Sequence, residues 1–272
     1  MKLQETIEQR KSVRSYQNIS LNEEDRNFVE ELINNFSQDS IFNVPVKIHF
    51  LEAENENEKL GTYGVIKGTK QFLGLSVKDV DFGMASAGYN FERTVLELTQ
   101  RGIGTCWLAG TFNRNQFTNV MELEDDEVFP IVCPIGYPME RQSFINGVFR
   151  TISKSDQRKP WDEIFFMNDF NHPLDRNTTG DYAFCLDMLR LAPSAANKQP
   201  WRIVYKDDAF HFYRVSGANA YPYDLQELDV GICACHFDLA TKEKDLPGYF
   251  TRLKHIDIDC PDNTKYLFSW IK

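Results

Sequence analysis

Hydrophobic residues recur along this chain in two rhythms, steps of three and four in some stretches and alternation in others. The longest three-four run in the first half is "FGMASAGYNFERTVLELTQRG", where Met84, Ala87, Phe91, Val95 and Leu98 form one apolar stripe. That spacing predicts a helix facing a core, ended by Gly102 at its C′ position. "NISLNEEDRNFVEELINNF" predicts another, with Ser20 or Asn22 as N-cap, acidic residues in the first turn, and Phe28, Leu32 and Phe36 on one face. The charged segment from Glu5 to Tyr16 reads as a short helix running into a turn. Alternation of Val46, Ile48 and Phe50 predicts a strand at "VKIHFLE", followed by the polar loop "AENENEKLG". Further strands are predicted at "KQFLGLSV" and at "FPIVCPIGYP", which a Tyr-Pro turn closes.

From Asn146 to about Gly180 the chain is rich in Asn, Asp, Ser and Pro and reads as a connection. A boundary near residue 165 is expected, giving halves 1–165 and 166–272. The second half predicts a helix at "YAFCLDMLRLA" and a hairpin of "RIVYK" and "AFHFYRV" about an Asp-Asp turn. A long helix follows at "DLQELDVGICACHFDLATKE", with Leu225, Leu228, Ile232, Cys235 and Leu239 at alternating steps of three and four. The tail "KYLFSWIK" is strand-like. Each half thus runs helix, strands, long core helix, although the letters alone establish no repeat.

Composition narrows the functional classes. The 272 residues, 42% hydrophobic and 13% aromatic, bury a real core, and the formal net charge of −10 argues against nucleic-acid or anionic-membrane partners. No apolar run approaches the roughly 18–20 residues that span a bilayer, and the first residues lack an apolar signal core. The six cysteines are scattered through apolar segments without metal-ligand spacing, so reduced, mostly buried thiols and a cytoplasmic location are expected.

Four stretches carry candidate chemistry. Arg10-Lys11-Ser12-Val13-Arg14 sets two guanidinium groups four apart about a hydroxyl, suited to gripping a dianion; taken alone it fits a solvated basic turn better. "RGIGTCWLAGT", from Arg101, spaces Gly102, Gly104 and Gly110 so that backbone can approach a ligand closely. Gln157-Arg158-Lys159-Pro160-Trp161 adds a basic pair, by itself surface charge. "APSAANKQPWR", residues 192–202, is a stiff, proline-bounded loop bearing Ser194, Asn197 and Gln199. His236 reads as a core residue, and no histidine has ligand spacing. No Ser/His/Asp set, nucleophile elbow, P-loop or dinucleotide fingerprint occurs, so an enzyme built this way needs a cofactor to carry the chemistry.

Together these stretches resemble the nitroreductase family of flavoenzymes. Arg10-x-Ser12-x-Arg14-x-Tyr16 is similar to its N-terminal signature, "APSAANKQPWR" to its A-P-S-x-x-N-x-Q-P-W segment, "GIGTCWLAG" to the loop after its central helix, and "GYP…RKPWDE" to its C-terminal portion. An ordinary member is a homodimer whose chains each carry every motif. Here the first half holds the Arg-Ser-Arg, glycine-loop and Arg-Lys elements but reads "DSIFNVPVKIHF" where the amide loop belongs. The second half holds the amide loop, with no Arg-x-Ser-x-Arg before it and no Gly-x-Gly after its core helix. This resembles the branch in which two nitroreductase-like halves are fused.

The resemblance implies an α+β, three-layer nitroreductase-like fold with two pseudo-symmetric halves, acting as a monomeric intramolecular pseudo-dimer. It implies one FMN per chain. Cofactor-binding residues would be Arg10, Lys11, Ser12, Arg14, Cys106, Trp107, Leu108, Ala109, Gly110, Arg158 and Lys159. Pro193, Ser194, Ala195, Asn197 and Gln199 of the second half would cover the flavin. The arginines would neutralise the FMN phosphate, and amides around Leu108, Ala109 and Gly110 would approach the flavin N5 edge. The implied reaction is ping-pong hydride transfer from NADH or NADPH to a nitroaromatic, quinone or similar acceptor. No side chain is implied as catalytic, and substrate-lining residues are expected between residues 55 and 82. Alternatives at this stage are a flavin store or redox sensor without turnover, flavin reduction or dehalogenation, and a scaffold without cofactor.

Overall fold

Periodicity and capping place the first elements. In this computed structural model, which describes residues 2–38, 41–53, 60–140, 157–217 and 223–272, α1 spans Leu3–Gln9 and α2 spans Glu23–Gln38. Asn22 caps α2, its side-chain oxygen accepting the Asp25 amide at 2.8 Å, and three acidic residues of the first turn meet the positive end of the helix dipole. The buried face of α2 is Val29, Leu32 and Ile33 rather than the expected Phe28–Leu32–Phe36 line. Phe28 and Phe36 are instead covered by the guanidinium groups of Arg101 and Arg93, at 5.2 and 4.1 Å from the ring centres.

Strands β1 (Val46–Glu52), β2 (Gln71–Lys78), β3 (Gly104–Thr105) and β4 (Glu127–Gly136) form an antiparallel sheet in the order β1-β2-β4-β3. Its register pairs Val46 with Val77, Leu73 with Cys133 and Thr105 with Ile135. Helix α3 runs Gly83–Gln100 and ends at Gly102, whose φ of +79° suits glycine. The short helix α4, Arg114–Met121, has too few turns to show a periodic pattern in the sequence; it buries Phe117 and Met121, one turn apart. Phe117 meets Phe72 and Phe112 edge-on at 5.2 and 5.4 Å, within a buried cluster that also holds Val13, Tyr16, Leu108 and Val132.

The later elements are β5 (Phe165–Met167), α5 (Tyr182–Arg190), β6 (Trp201–Lys206), β7 (Ala209–Val215), α6 (Leu225–Glu243), β8 (Tyr249–Thr251) and β9 (Thr264–Ile271). They make a five-stranded sheet, β5-β6-β7-β9-β8, in which only the β5–β6 pair is parallel. The expected hairpin turns on Asp207 and Asp208, both left-handed at φ 51° and 56°, the backbone that matches the twist of adjoining strands. β5 and β8, three residues each, fall below the length at which alternation is legible. Asp224 caps α6 through the Glu227 amide at 3.0 Å. The core here is aromatic: Trp201, Phe210, Phe212, Phe237 and Trp270 are fully buried, with Phe237 edge-on to Trp270 at 5.4 Å.

Contacts divide the chain into two units, Met1–Gly83 with Asn90–Lys154, and Met84–Tyr89 with Ser155–Lys272. The first turns of α3 thus belong with the second unit. There the backbones of α3 and α6 touch: a Cβ at Gly88 would fall on the Leu228 carbonyl oxygen, and one at Gly231 on that of Ala85. Tyr89 donates a short hydrogen bond to Asp238, which also pairs with Lys242 at 2.8 Å.

Candidate functional site

The residues singled out in the sequence fall into two groups, one in each unit. In the first, α1 ends at Arg10 and the chain then lies beside β3. Ser12 pairs with Thr105 in parallel fashion, and the Val13 amide donates to the Thr105 carbonyl at 2.8 Å. Gly104 permits that approach, since a Cβ there would lie 3.0 Å from Val13 and 2.9 Å from Pro138. Tyr16 anchors the far end, its buried hydroxyl donating to the carbonyls of Val13 (2.8 Å) and Pro134 (3.1 Å).

This strap brings Arg10, Ser12 and Arg14 around Cys106. Burial pushes the Cys106 thiol up, while Arg14, a Ser12 hydrogen bond and Arg10 pull it down. Burial likewise pushes Cys133 up. Both thiols are therefore inert packing groups rather than nucleophiles. Lys11 is exposed, whereas Arg10, Ser12 and Arg14 are half-buried. Among the described residues Arg10 makes no ion pair, and its buried Nε meets no acceptor. A guanidinium brought this far out of water without an ion pair fits an anionic ligand.

After Cys106 the chain pairs with β4. The Leu108 amide and carbonyl exchange bonds with Val132 at 2.9 and 3.0 Å, so that amide is committed to the backbone and not open to a ligand. The amides of Ala109 and Gly110, by contrast, donate to nothing among the described residues. Trp107 is fixed from behind by Glu92, a wholly buried residue of α3 that accepts its indole N–H at 3.1 Å, and by Phe91, edge-on at 4.9 Å. Periodicity did not mark Glu92; it lies beside the apolar stripe, and only packing shows it to be inside.

In the second unit, Arg158 and Lys159 meet the amide loop. Arg158 donates to the carbonyls of Gln157 (3.2 Å) and Leu191 (3.0 Å) and to the Asn197 side-chain oxygen (3.4 Å). The Leu191 carbonyl lies at the negative end of α5, where a cation is favoured. The Lys159 amide donates to Gln199 Oε1 at 2.8 Å, and its ammonium lies 3.6 Å from Glu163. Asn197 donates to the Gln157 carbonyl at 2.8 Å, and Gln199, 3% exposed, gives its side-chain N–H groups to Gln157 and Asn197. Both side-chain amides thus knit the loop to residues 157–159 instead of standing open. Pro193 and Ser194 are half-buried and Ala195 is exposed; the Ser194 hydroxyl accepts the Gln199 amide at 2.9 Å.

One residue of this group escaped motif reading. Asp229, on α6, accepts the Ala195 amide with both carboxyl oxygens, at 3.1 and 3.2 Å. Its signal was legible as an acid set among Leu225, Leu228 and Ile232 on the apolar side of a helix. His236 is a core residue, as expected, with its Nδ1 3.0 Å from the Met188 carbonyl. No cluster of metal-ligating residues occurs among the described residues. Five of the six cysteines are buried, and none forms a disulfide. Part of the expected substrate-lining region, residues 55–59, lies outside the described residues, as do residues 146–156 of the expected connection.

This α+β arrangement, with a strap of paired arginines beside a glycine-spaced strand in one unit and a proline-bounded amide loop in the other, is of the nitroreductase-like class. The chain matches the family model described as "Putative TM nitroreductase" over residues 2–241 and belongs to that family, an oxidoreductase family by its description. Among solved structures it resembles a "putative nitroreductase" from Thermotoga maritima, with a TM-score of 0.62 and 21% identity over 100% of this chain and 94% of that one. A nitroreductase family protein from Clostridium difficile aligns with a TM-score of 0.44 and 16% identity, over 60% of this chain and 96% of its own. A "putative nitroreductase in complex with fmn" from Desulfovibrio desulfuricans aligns at 0.45 and 18%, over 60% of this chain and 94% of its own. No curated protein matches this chain. No helix of the described residues is long and apolar enough to cross a membrane.

Proposed function

We propose that this protein binds FMN and, with NADH or NADPH as hydride donor, reduces a nitroaromatic, quinone or similar small acceptor in two successive half-reactions. Family membership supports the class. The observation that carries the cofactor is the half-buried Arg10 guanidinium, which makes no ion pair among the described residues and whose Nε has no acceptor there. Bound FMN supplies the two-electron hydride chemistry that no side chain here can provide.

The chain's own residues then bind and orient. Arg10 and Arg14 would neutralise the phosphate, and Ser12 would donate to it or to the ribityl chain. Since Arg158 already serves three protein oxygens, the phosphate grip rests chiefly on the strap. The unengaged amides of Ala109 and Gly110 would face the acceptor edge of the ring; a fixed donor there favours negative charge developing on reduction. Trp107, held by Glu92 and Phe91, would wall that edge.

Titration of the purified protein with FMN tests this. A charge-assisted contact contributes about 1.5–3 kcal/mol, so Arg10→Ala or Arg14→Ala is expected to weaken FMN binding on the order of 10- to 100-fold with the circular dichroism spectrum unchanged. Protein that stays colourless in FMN, or an Arg10→Ala variant of full affinity, refutes the reading. Steady NAD(P)H oxidation with a quinone or nitro acceptor separates an enzyme from a flavin store.

A further inference from the structure

The loop after α5 holds an unusual backbone. Ala196, Asn197 and Gln199 are left-handed at φ 50°, 54° and 48°, a conformation that costs a non-glycine residue about 1–2 kcal/mol. Besides the bonds from Arg158 to Asn197 and from the Lys159 amide to Gln199, whose charges are fixed, three anchors keep it there. The Ser194 hydroxyl accepts the Gln199 amide, and the Gln157 carbonyl accepts the side-chain amides of Asn197 and Gln199. The third anchor is Asp229, 4% exposed, whose carboxyl takes the Ala195 amide where the loop begins. The first two are neutral, and only the third can change its charge.

We propose that Asp229 is the positioning residue of this loop, its carboxyl and the Ala195 amide together deciding whether residues 194–199 stand formed for the flavin. The inference rests on the flavin reading for its functional end, though not for the loop itself. A carboxylate offers about four lone-pair sites. Among the described residues only the Ala195 amide donates to this one, so the ionised form is poorly solvated. Burial pushes Asp229 up to about 8, against the pull of the Ala195 amide and of Lys198 and with the push of Asp224. The titratable groups that bear on it are Lys198 in the loop and Asp224 and Cys233 on α6. Helices α3 and α5 and strands β6 and β7, also packed on α6, add none among the described residues.

The sign follows from linkage. The closed loop binds the carboxyl proton more tightly than an opened loop, in which Asp229 meets water and titrates near its ordinary value. Closure is therefore weakened as pH rises towards 8, by up to about tenfold per unit, and is constant above. Asp229→Asn keeps an oxygen for the Ala195 amide and cannot ionise, so its loop stays closed across the range.

Exposed Lys198 provides the readout, because trypsin cleaves after it only when the loop opens. Cleavage there, normalised to a small peptide substrate, is expected to rise at least fivefold in the wild-type chain from pH 6.5 to 8 and then level off. Asp229→Asn is expected to remain flat at the wild-type pH 6.5 rate, and FMN affinity to follow the same two profiles. A flat wild-type profile overturns the proposal whatever the variant does. So does a variant whose profile parallels the wild type at a uniformly higher rate, which marks a merely structural residue. If neither protein binds FMN while the two cleavage profiles differ as stated, the loop device stands and the flavin reading fails.

Discussion

Ala196 illustrates how a side chain can be ordinary while its backbone is not. At φ 50° and ψ 28° it holds a left-handed turn that glycine or asparagine would adopt more readily, and the sequence "SAANKQ" announces no such strain. A β-branched side chain is the worst tolerated there, so Ala196→Val is expected to cost about 1–2 kcal/mol in chemical denaturation, whereas Ala196→Gly stays within about 1 kcal/mol of wild type. Asn197 and Gln199 teach a related lesson. Their type and position marked the loop, but a side-chain amide has donors and an acceptor that bind protein as readily as ligand. Here they bind protein. Arg10 is the opposite case, a guanidinium that makes no ion pair among the described residues and whose Nε meets no acceptor there.

Helices α3 and α6 show where periodicity under-reports burial. Each was expected to bury one stripe, yet most faces of both are covered: Ser86, Asn90, Glu92 and Thr94 are buried on α3, and Gln226, Asp229, His236 and Asp238 on α6. Of these only His236 was expected inside, because hydropathy carries no information about which polar residues will find a partner there. The crossing depends on Gly88 and Gly231, which let one backbone rest on the other. Because the obstructing atoms are backbone carbonyl oxygens, neither a rotamer change nor a small shift relieves an added methyl group. Gly88→Ala and Gly231→Ala are each expected to destabilise the second unit by about 3 kcal/mol or more, read as a large fall in melting temperature. Gly102→Ala, whose Cβ would meet nothing within 4 Å, is the control for backbone strain alone.

For the chain as a whole, the division of motifs sets a stoichiometry. The strap with Arg10 and Arg14 occurs once, in the first unit, and the amide loop once, in the second. One FMN per chain is therefore expected from the flavin absorbance of the loaded protein set against its concentration; two per chain would contradict the proposed function.

Alternation and three-four spacing sufficed for the long elements. β1 spans Val46–Glu52, as its alternating letters imply, and α2, α3, α5 and α6 lie within two residues or so of their patterns, because a segment of several turns or a half-buried strand repeats its environment often enough to leave a period. α4, β5 and β8 are too short to do so and exist through their neighbours. The motifs likewise named the strap and the loop, since the types and spacings of residues able to hold a phosphate or stiffen a turn are written in order along the chain. Direction was not written there. That the Leu108 amide is spent on Val132, that Arg158 faces the end of α5, and that Asp229 lies under Ala195 all follow from contacts between residues distant in sequence, which only the folded backbone brings within hydrogen-bond reach.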